Sequence, residues 1–404
     1  MMDVIIIGAG ASGLVAAITA ARRGKKVLIL EKNNKVGKKL LATGNGRCNI
    51  TNQRPIPERF YSQNPKFIRQ VLEGYTYQTI KQFFKSIGLE LIEAKEGKVF
   101  PMSLQAASVV DLLQFECEQL GAKIVCEAEV KKVESHKNGF MVYYAEEKIQ
   151  SYKVVIATGH ESAPQLGGTA DGLQFAKPFG HHIINGFPTL VQLTSPMPHL
   201  KRLSGIKVEG RVTLRAGQQT IQKEGDILFT NYGISGLAIL DISRFVMEQL
   251  IHTPIVTLEL DLMPKMSREQ LLALMKKSLD KKSQKPLSIW LQGFINKKLI
   301  LPILEPLKLE KATVGSILSN VNQLETIADR IKHFPFNVNG SNGYKGAEVA
   351  TGGIDTQEVN PQTMESLKQK GLYLAGELLD VDGDRGGFNL HFAWVCGLRA
   401  GKSV

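Results

Sequence analysis

Gly8, Gly10 and Gly13 form a G-x-G-x-x-G pattern close to the start of the chain, and they constrain the fold more than any other feature. Residues 4–7 before them are apolar, β-branched and short, which marks a parallel strand buried on both faces. Residues 11–23 read as a helix. Leu14, Ala17, Ile18 and Ala21 fall at helical spacing, basic residues fill the last turn, and Gly24 follows as a stop. A second apolar strand, residues 27–30, ends at Glu31, 18 residues beyond Gly13. The glycine pattern alone is weak. Between a strand and a helix, with an acid at that distance, it marks a dinucleotide-binding βαβ unit. Gly8 permits the tight turn, Gly10 lets backbone approach a pyrophosphate, and Gly13 lets the helix pack on the strand. Ala11, Ser12 and Gly13 offer helix N-terminal N–H donors to phosphate, and Glu31 offers a carboxylate to a ribose.

The rest of the chain selects the dinucleotide. Residues 32–52 are basic and rich in Gly and Asn. Lys32, Lys38, Thr43, Asn45, Arg47 and Asn49 can donate to phosphates, ribityl hydroxyls or a flavin edge, and Gly44 and Gly46 allow close approach. Residues 65–120 look helical, interrupted at 97–101. Residues 123–156 read as three antiparallel strands with a hairpin at Asn138-Gly139. They return into an apolar strand ending Ala157-Thr158-Gly159, the wiring of an FAD-type domain. There the backbone amide of Val130 would meet adenine. Residues 372–374 form a third parallel strand ending at Gly376-Glu377, where doubly wound sheets bind ligands. Gly387 then opens a helix whose N–H groups at Phe388, Asn389 and Leu390 could face the N1–C2=O edge of a reduced flavin. Gly353 is placed to lie against a flat ring.

The phrases at 42–49 (ATGNGRCN), 99–101 (VFP), 351–353 (TGG) and 374–390 together resemble the YhiN/BaiN-type flavoproteins from end to end. That resemblance implies FAD held without a covalent bond in an α/β, three-layer Rossmann-like domain. It also implies an interrupting β-barrel-like domain that carries a small helical insert. The implied boundaries are 1–190 with 340–404 for the FAD domain, 191–261 with 326–339 for the barrel-like domain, and 262–325 for the helical insert. The middle of the chain agrees, with alternation across 190–260 and Leu-rich helical periodicity across 262–325. Two positions depart from common patterns: Glu377 stands where many FAD proteins carry Asp, and His391 stands where the family commonly has Gln.

Composition and absences narrow the chemistry. There is no run of about 18 apolar residues, so no membrane span is expected, and a cytoplasmic location is. Cys48, Cys117, Cys126 and Cys396 include no C-x-x-C, which argues against a redox disulfide. No second G-x-G-x-x-G occurs, and the histidines lack metal spacing. The expected activity is hydride transfer between a small organic substrate and flavin N5, with NAD(P)H as a transient donor. Arg385, Asn389 and His391 are the candidate polar contacts, His391 as acid or base. An amine-type oxidase releasing peroxide is one alternative. An RNA-modifying or RNA-binding flavoprotein is another, prompted by the net charge of +12. Residues 22–47 carry nine basic side chains against Glu31, and residues 262–325 carry eleven against five acids.

Overall fold

The structure, a computed structural model, describes every residue except 199, 280–282 and 318–320. It divides into two compact units. The first comprises Met1–Phe187 and Glu348–Val404; the second comprises Pro188–Ala347.

The first unit begins with β1 (Met2–Ile7), α1 (Ala11–Ala21) and β2 (Val27–Leu30). A long excursion follows, carrying α2 (Pro65–Leu72), α3 (Tyr77–Ser86) and α4 (Ala106–Gln119). β3 (Lys123–Val125) then pairs in parallel with β2. The meander β4 (Val130–His136), β5 (Gly139–Tyr144) and β6 (Glu147–Ile156) comes next. β6 serves two neighbours. Its first half pairs antiparallel with β5, and from Ser151 onward it pairs in parallel with β1. The segment from Lys123 to His136 is not the single strand its sequence suggests. It is two strands, because Glu127 takes φ +56° and Ala128 N–H turns to the Glu31 carbonyl, so the chain leaves the parallel sheet before Val130.

The second unit is built on β7 (Lys207–Ala216), β8 (Gln219–Phe229), β9 (Val256–Asp261) and β10 (Phe334–Val338). They form an antiparallel sheet in the order β10-β9-β7-β8, extended by the short strands Gly233–Ser235, Leu193–Thr194 and Gly340–Ser341. α5 (Leu237–Leu250) lies inside the stretch expected to be β-rich; it buries Ile239, Ile242 and Val246 on one face and packs on β7 and β8. α6 (Arg268–Lys277) and α7 (Lys297–Leu304) lie in the Leu-rich segment, and α8 (Val321–Lys332) runs past its expected end at 325 to the residue before His333 and β10.

The chain returns to the first unit at Glu348, adds β11 (Leu372–Leu374) in parallel with β6, and then forms α9 (Phe388–Ser403). The parallel order is therefore β3-β2-β1-β6-β11, with strand residues 4–7, 27–30 and 154–156 almost wholly buried. α9 lies against α1 with backbone nearly touching backbone. A Cβ at Gly397 would sit 2.5 Å from the Ser12 carbonyl oxygen, and one at Gly401 would sit 2.6 Å from that of Ala16. The last helix thus holds the first motif in place. Among the described residues no helix is long and apolar enough to cross a membrane.

Candidate cofactor site

The sheet register lines up four strand ends. Ile7 is level with Leu30 and Ile156, and Ile156 is level with Leu374. Gly8, Glu31, Ala157 and Ala375 therefore form one row at the carboxyl edge, where ligands of open parallel sheets bind.

The three motif glycines do different jobs. Gly8 has φ +102°, and a Cβ there would lie 2.6 Å from the Ala157 carbonyl oxygen. A Cβ at Gly13 would lie 2.0 Å from the Gly8 carbonyl oxygen, so glycine is what seats α1 on β1. A Cβ at Gly10 would meet no protein atom within 4 Å. Packing does not require glycine at position 10. The space left open over the α1 N-terminus, with the N–H donors of its first turn, fits a pyrophosphate.

Two carboxylates flank this row. Glu31 is buried; its Oε1 accepts from Asn33 N (2.8 Å) and Nδ2 (2.6 Å), and its Oε2 accepts from Ala9 N (2.8 Å). Glu377 accepts at Oε1 from Ser162 Oγ (2.8 Å) and Ala350 N (3.1 Å), and at Oε2 from Lys39 Nζ (2.7 Å). A carboxylate offers about four acceptor directions. Each glutamate has one left, on Oε2, which suits a sugar hydroxyl. Burial pushes the Glu377 carboxyl up, but Lys39 and Ser162 outweigh it and hold it below the usual range. Lys39, Ser162 and Ala350 escaped sequence reasoning. Lys39 has the adjacent Lys38 as a decoy, and Ser162 has no local signal.

The basic loop is placed unevenly. Lys32 lies 3.7 Å from Asp171. Thr43 donates to the Leu40 carbonyl (2.6 Å), which closes the helix Lys38–Ala42. Gly44, Asn45, Gly46 and Cys48 all have positive φ, and the turn Gly44–Arg47 is exposed. Arg47 folds back to the Gly44 carbonyl (3.3 Å) and over the Phe100 ring (5.4 Å). Asn49 accepts from Val99 N (3.2 Å). Val130 starts β4 opposite Tyr144, with a bulge next to it. Gly159 has φ +72°, and a Cβ there would come 3.8 Å from Glu377 Oε2, so Thr158-Gly159 borders the second carboxylate.

At the start of α9 several expectations need correction. His391 is fully buried. Its Nε2 donates to the Tyr75 carbonyl (3.3 Å), so its Nδ1 accepts from Thr51 Oγ1 (2.8 Å). Burial pushes its pKa down to about 4. A neutral ring with both nitrogens engaged inside the protein is a structural brace and not an acid or base for substrate. Asn389 spends its amide on Gly383, accepting from N (2.7 Å) and donating to O (2.8 Å). Phe388 packs edge-on against Phe60 beneath Arg59. Gly353 and Gly387 have φ +123° and +95°, and a Cβ would strike Leu378 O at 2.5 Å and Thr51 O at 2.4 Å. Protein backbone alone already requires glycine at 353. Arg385 is half-buried and, after Lys98, helps hold the Glu96 carboxyl low.

All four cysteines are free thiols, and burial pushes Cys48 up to about 11 and Cys117 and Cys396 to about 12. Among the described residues no group of His, Cys, Asp or Glu could hold a metal ion. A groove of about 850 Å³ lined by Arg54, Ile56, Leu72, Tyr75 and Tyr77 shares none of the residues expected to hold the cofactor.

The profile of the family described as HI0933-like protein Rossmann domain matches residues 2–403. The chain belongs to this family of flavoproteins. With that, it falls among the FAD-dependent oxidoreductases. Relatives of the HI0933-like chain span its whole length. It is 35% identical over 402 residues to a 3-dehydro-bile acid delta(4,6)-reductase of Clostridium scindens, covering 99% of this chain and 98% of that one. It is also 35% identical over 409 residues to a ribosomal RNA dihydrouridine synthase of Haemophilus influenzae, with the same coverage. A 3-ketosteroid-delta4-(5alpha)-dehydrogenase from Rhodococcus jostii shares the fold. Its TM-score is 0.54 at 14% identity, covering 100% of this chain and 96% of that one.

Proposed function

We propose that this protein is an FAD-dependent reductase that takes a hydride from NAD(P)H and delivers it to an activated carbon–carbon double bond. The observation that carries the redox site is the row at the sheet's carboxyl edge: an open Gly10 between two carboxylates, each with one acceptor direction to spare. FAD, once bound, supplies hydride exchange at its N5. The chain supplies the rest. Gly10 and the α1 N-terminus receive the pyrophosphate, Glu31 and Glu377 orient sugar and ribityl hydroxyls, and the first turn of α9 offers backbone N–H groups to the ring's electron-rich edge. Burial favours the protonated form of the Cys48, Cys117 and Cys396 thiols, which speaks against a cysteine relay. Arg385, half-buried within reach of the Glu96 carboxylate, is a candidate for polar substrate contact.

The choice of a double bond rests on the names of the relatives, since a delta(4,6)-reductase and a dihydrouridine synthase both saturate one. Anaerobic mixing with NADH and with NADPH tests the donor. Rapid bleaching of the flavin, followed by recolouring with an enone, supports the reading. No bleaching with either, but peroxide release with an amine, would replace it with the oxidase.

RNA as the substrate is a second reading, favoured by two dihydrouridine synthase relatives and by the excess of lysine in residues 262–325. Lys276 and Lys277 are exposed at the end of α6, whereas Lys281 and Lys282 lie outside the described residues. Salt-dependent RNA binding that disappears on charge reversal of Lys276 and Lys277 supports it.

A further inference from the structure

We propose that Lys39 is a positioning residue of the flavin seat: its ammonium fixes Glu377 as an ionised acceptor with one oxygen lone pair left for the cofactor. This rests on the carboxyl edge being an FAD seat.

Four segments of the first unit converge here. Lys39 comes from the helix Lys38–Ala42, Ser162 from the loop after β6, Ala350 from the short strand Val349–Ala350 and Glu377 from just past the end of β11. Lys39 Nζ reaches Glu377 Oε2 at 2.7 Å and also donates to Ser162 Oγ. Ser162 is fully buried and donates its own hydrogen bond to Oε1, so one ammonium orients both oxygens. The other titratable group facing Glu377 is His160. It is 3% exposed, burial pushes it below its usual range, and its Nδ1 accepts from Glu161 N at 2.9 Å. It is neutral at neutral pH, so Lys39 is the cation that balances the carboxylate.

The role follows from what removal would do. Burial acts on Glu377 in one direction, towards the neutral acid, and Lys39 is the main counterweight. Without the ammonium the carboxyl takes up a proton nearer neutral pH. A hydroxyl donating to it then loses a charge-assisted bond. Lys39 therefore acts on the cofactor through Glu377. A lysine contacting the pyrophosphate directly would instead act independently of Glu377.

The test is FAD titration of apoprotein by flavin fluorescence, from about pH 8 to about pH 6, where an ordinary glutamate stays ionised. The variants are Lys39→Met, Lys39→Arg, Glu377→Gln and the double variant Lys39→Met/Glu377→Gln. Lys39→Met should weaken FAD binding at least about tenfold, the size expected for a lost bond to a charged group. The loss should deepen as pH falls, a trend absent in wild type, and Lys39→Arg should restore most of the affinity. In the Glu377→Gln background, adding Lys39→Met should cost less than about threefold and bring no pH trend. If Lys39→Met folds poorly, Ser162→Ala carries the same logic, weakening wild type and leaving Glu377→Gln unchanged. Lys39→Met binding like wild type, or losing as much in the Glu377→Gln background, overturns the role of Lys39 alone. Wild-type protein that takes up no FAD overturns the seat itself.

Discussion

Glu31 and Glu377 stand past the ends of two parallel strands and each accepts three hydrogen bonds, yet different parts of the chain hold them. The donors to Glu31 are Ala9 and Asn33, neutral groups belonging to the same βαβ motif. The donors to Glu377 come from three separate segments, two of them more than 200 positions away, and one is a lysine ammonium. One end of the seat is built locally, by backbone and near neighbours. The other exists only once residues some 340 positions apart have been brought together. The local end should answer to substitutions that disturb the backbone, and the assembled end to substitutions that disturb charge balance.

The largest effect is expected in the local motif. Gly13→Ala places a methyl 2.0 Å from the Gly8 carbonyl oxygen, which neither α1 nor the strand-to-helix turn can avoid. Overpacking against backbone costs about 3 kcal/mol or more, read as a clear drop in melting temperature of the apoprotein. Gly10→Val is the sharpening control. Position 10 has φ −87° in extended backbone and open space around it, so the apoprotein should melt like wild type while FAD retention is lost. If Gly10→Val unfolds the protein, or still holds FAD, the distinction between packing glycine and ligand glycine fails.

Next comes the assembled end. Glu377→Ala strands the Lys39 ammonium, whose side chain is 32% exposed, and should cost the apoprotein about 2 kcal/mol after allowing for that solvent. Glu31→Ala leaves two backbone amides, of Ala9 and Asn33, and the Asn33 side-chain amide without an acceptor, all neutral groups, and should cost about 1 kcal/mol. Glu31→Ala proving the more damaging to apoprotein stability in chemical denaturation would reverse the comparison. So would a failure of Lys39→Met to recover stability in the Glu377→Ala protein.

The same contrast explains what was legible in the sequence. Gly8, Gly10, Gly13 and Glu31 could be placed because strand, turn and helix are neighbours, and their spacing encodes their geometry. The return strand and Glu377 could also be placed, since an apolar triplet ending in Gly-Glu carries its own signal. The partners of Glu377 could not, because nothing near Ser162 or Ala350 in sequence announces a carboxylate. His391 and Asn389 misled for the related reason that a polar residue beside a glycine-opened helix looks available. Only the tertiary structure shows Thr51, Tyr75 and Gly383 using up their hydrogen bonds. In the second unit, α5 was hidden by β-branched residues that satisfy helix and strand patterns alike.

At neutral pH His391 offers a smaller effect, one that appears only as the pH is lowered. Its folded pKa of about 4 lies below the unfolded value of about 6.5. The unfolded chain therefore binds the extra proton first as pH falls. The stability associated with the neutral ring is fully present above about pH 6.5 and is lost progressively down to about pH 4, up to about 3 kcal/mol. His391→Gln can keep both hydrogen bonds without titrating. It should flatten that part of the stability profile and leave kcat within about fivefold. A kcat loss of about a hundredfold or more, the usual range for removing a general acid or base, would return His391 to the chemistry.

The smallest effect should be at Lys32, and it separates two lysines seven positions apart that look equivalent in a basic loop. Lys32 pairs with Asp171 at 3.7 Å, and the two side chains are 31% and 44% exposed, so water screens the pair. Lys32→Ala should change the melting temperature by no more than the equivalent of about 0.5 kcal/mol. If any phosphate contact it makes is equally solvated, FAD affinity should fall less than about threefold, and added salt should erase even that. Lys39 is tied to a carboxylate held partly out of water, and its effect should survive salt. Measuring both variants at low and high ionic strength decides the matter. Equal, salt-sensitive losses would mean that both lysines act through long-range attraction to a polyanionic ligand. A large salt-resistant loss at Lys39 beside a small salt-sensitive one at Lys32 would mean that the assembled carboxylate, and not the general positive charge of the loop, positions the cofactor.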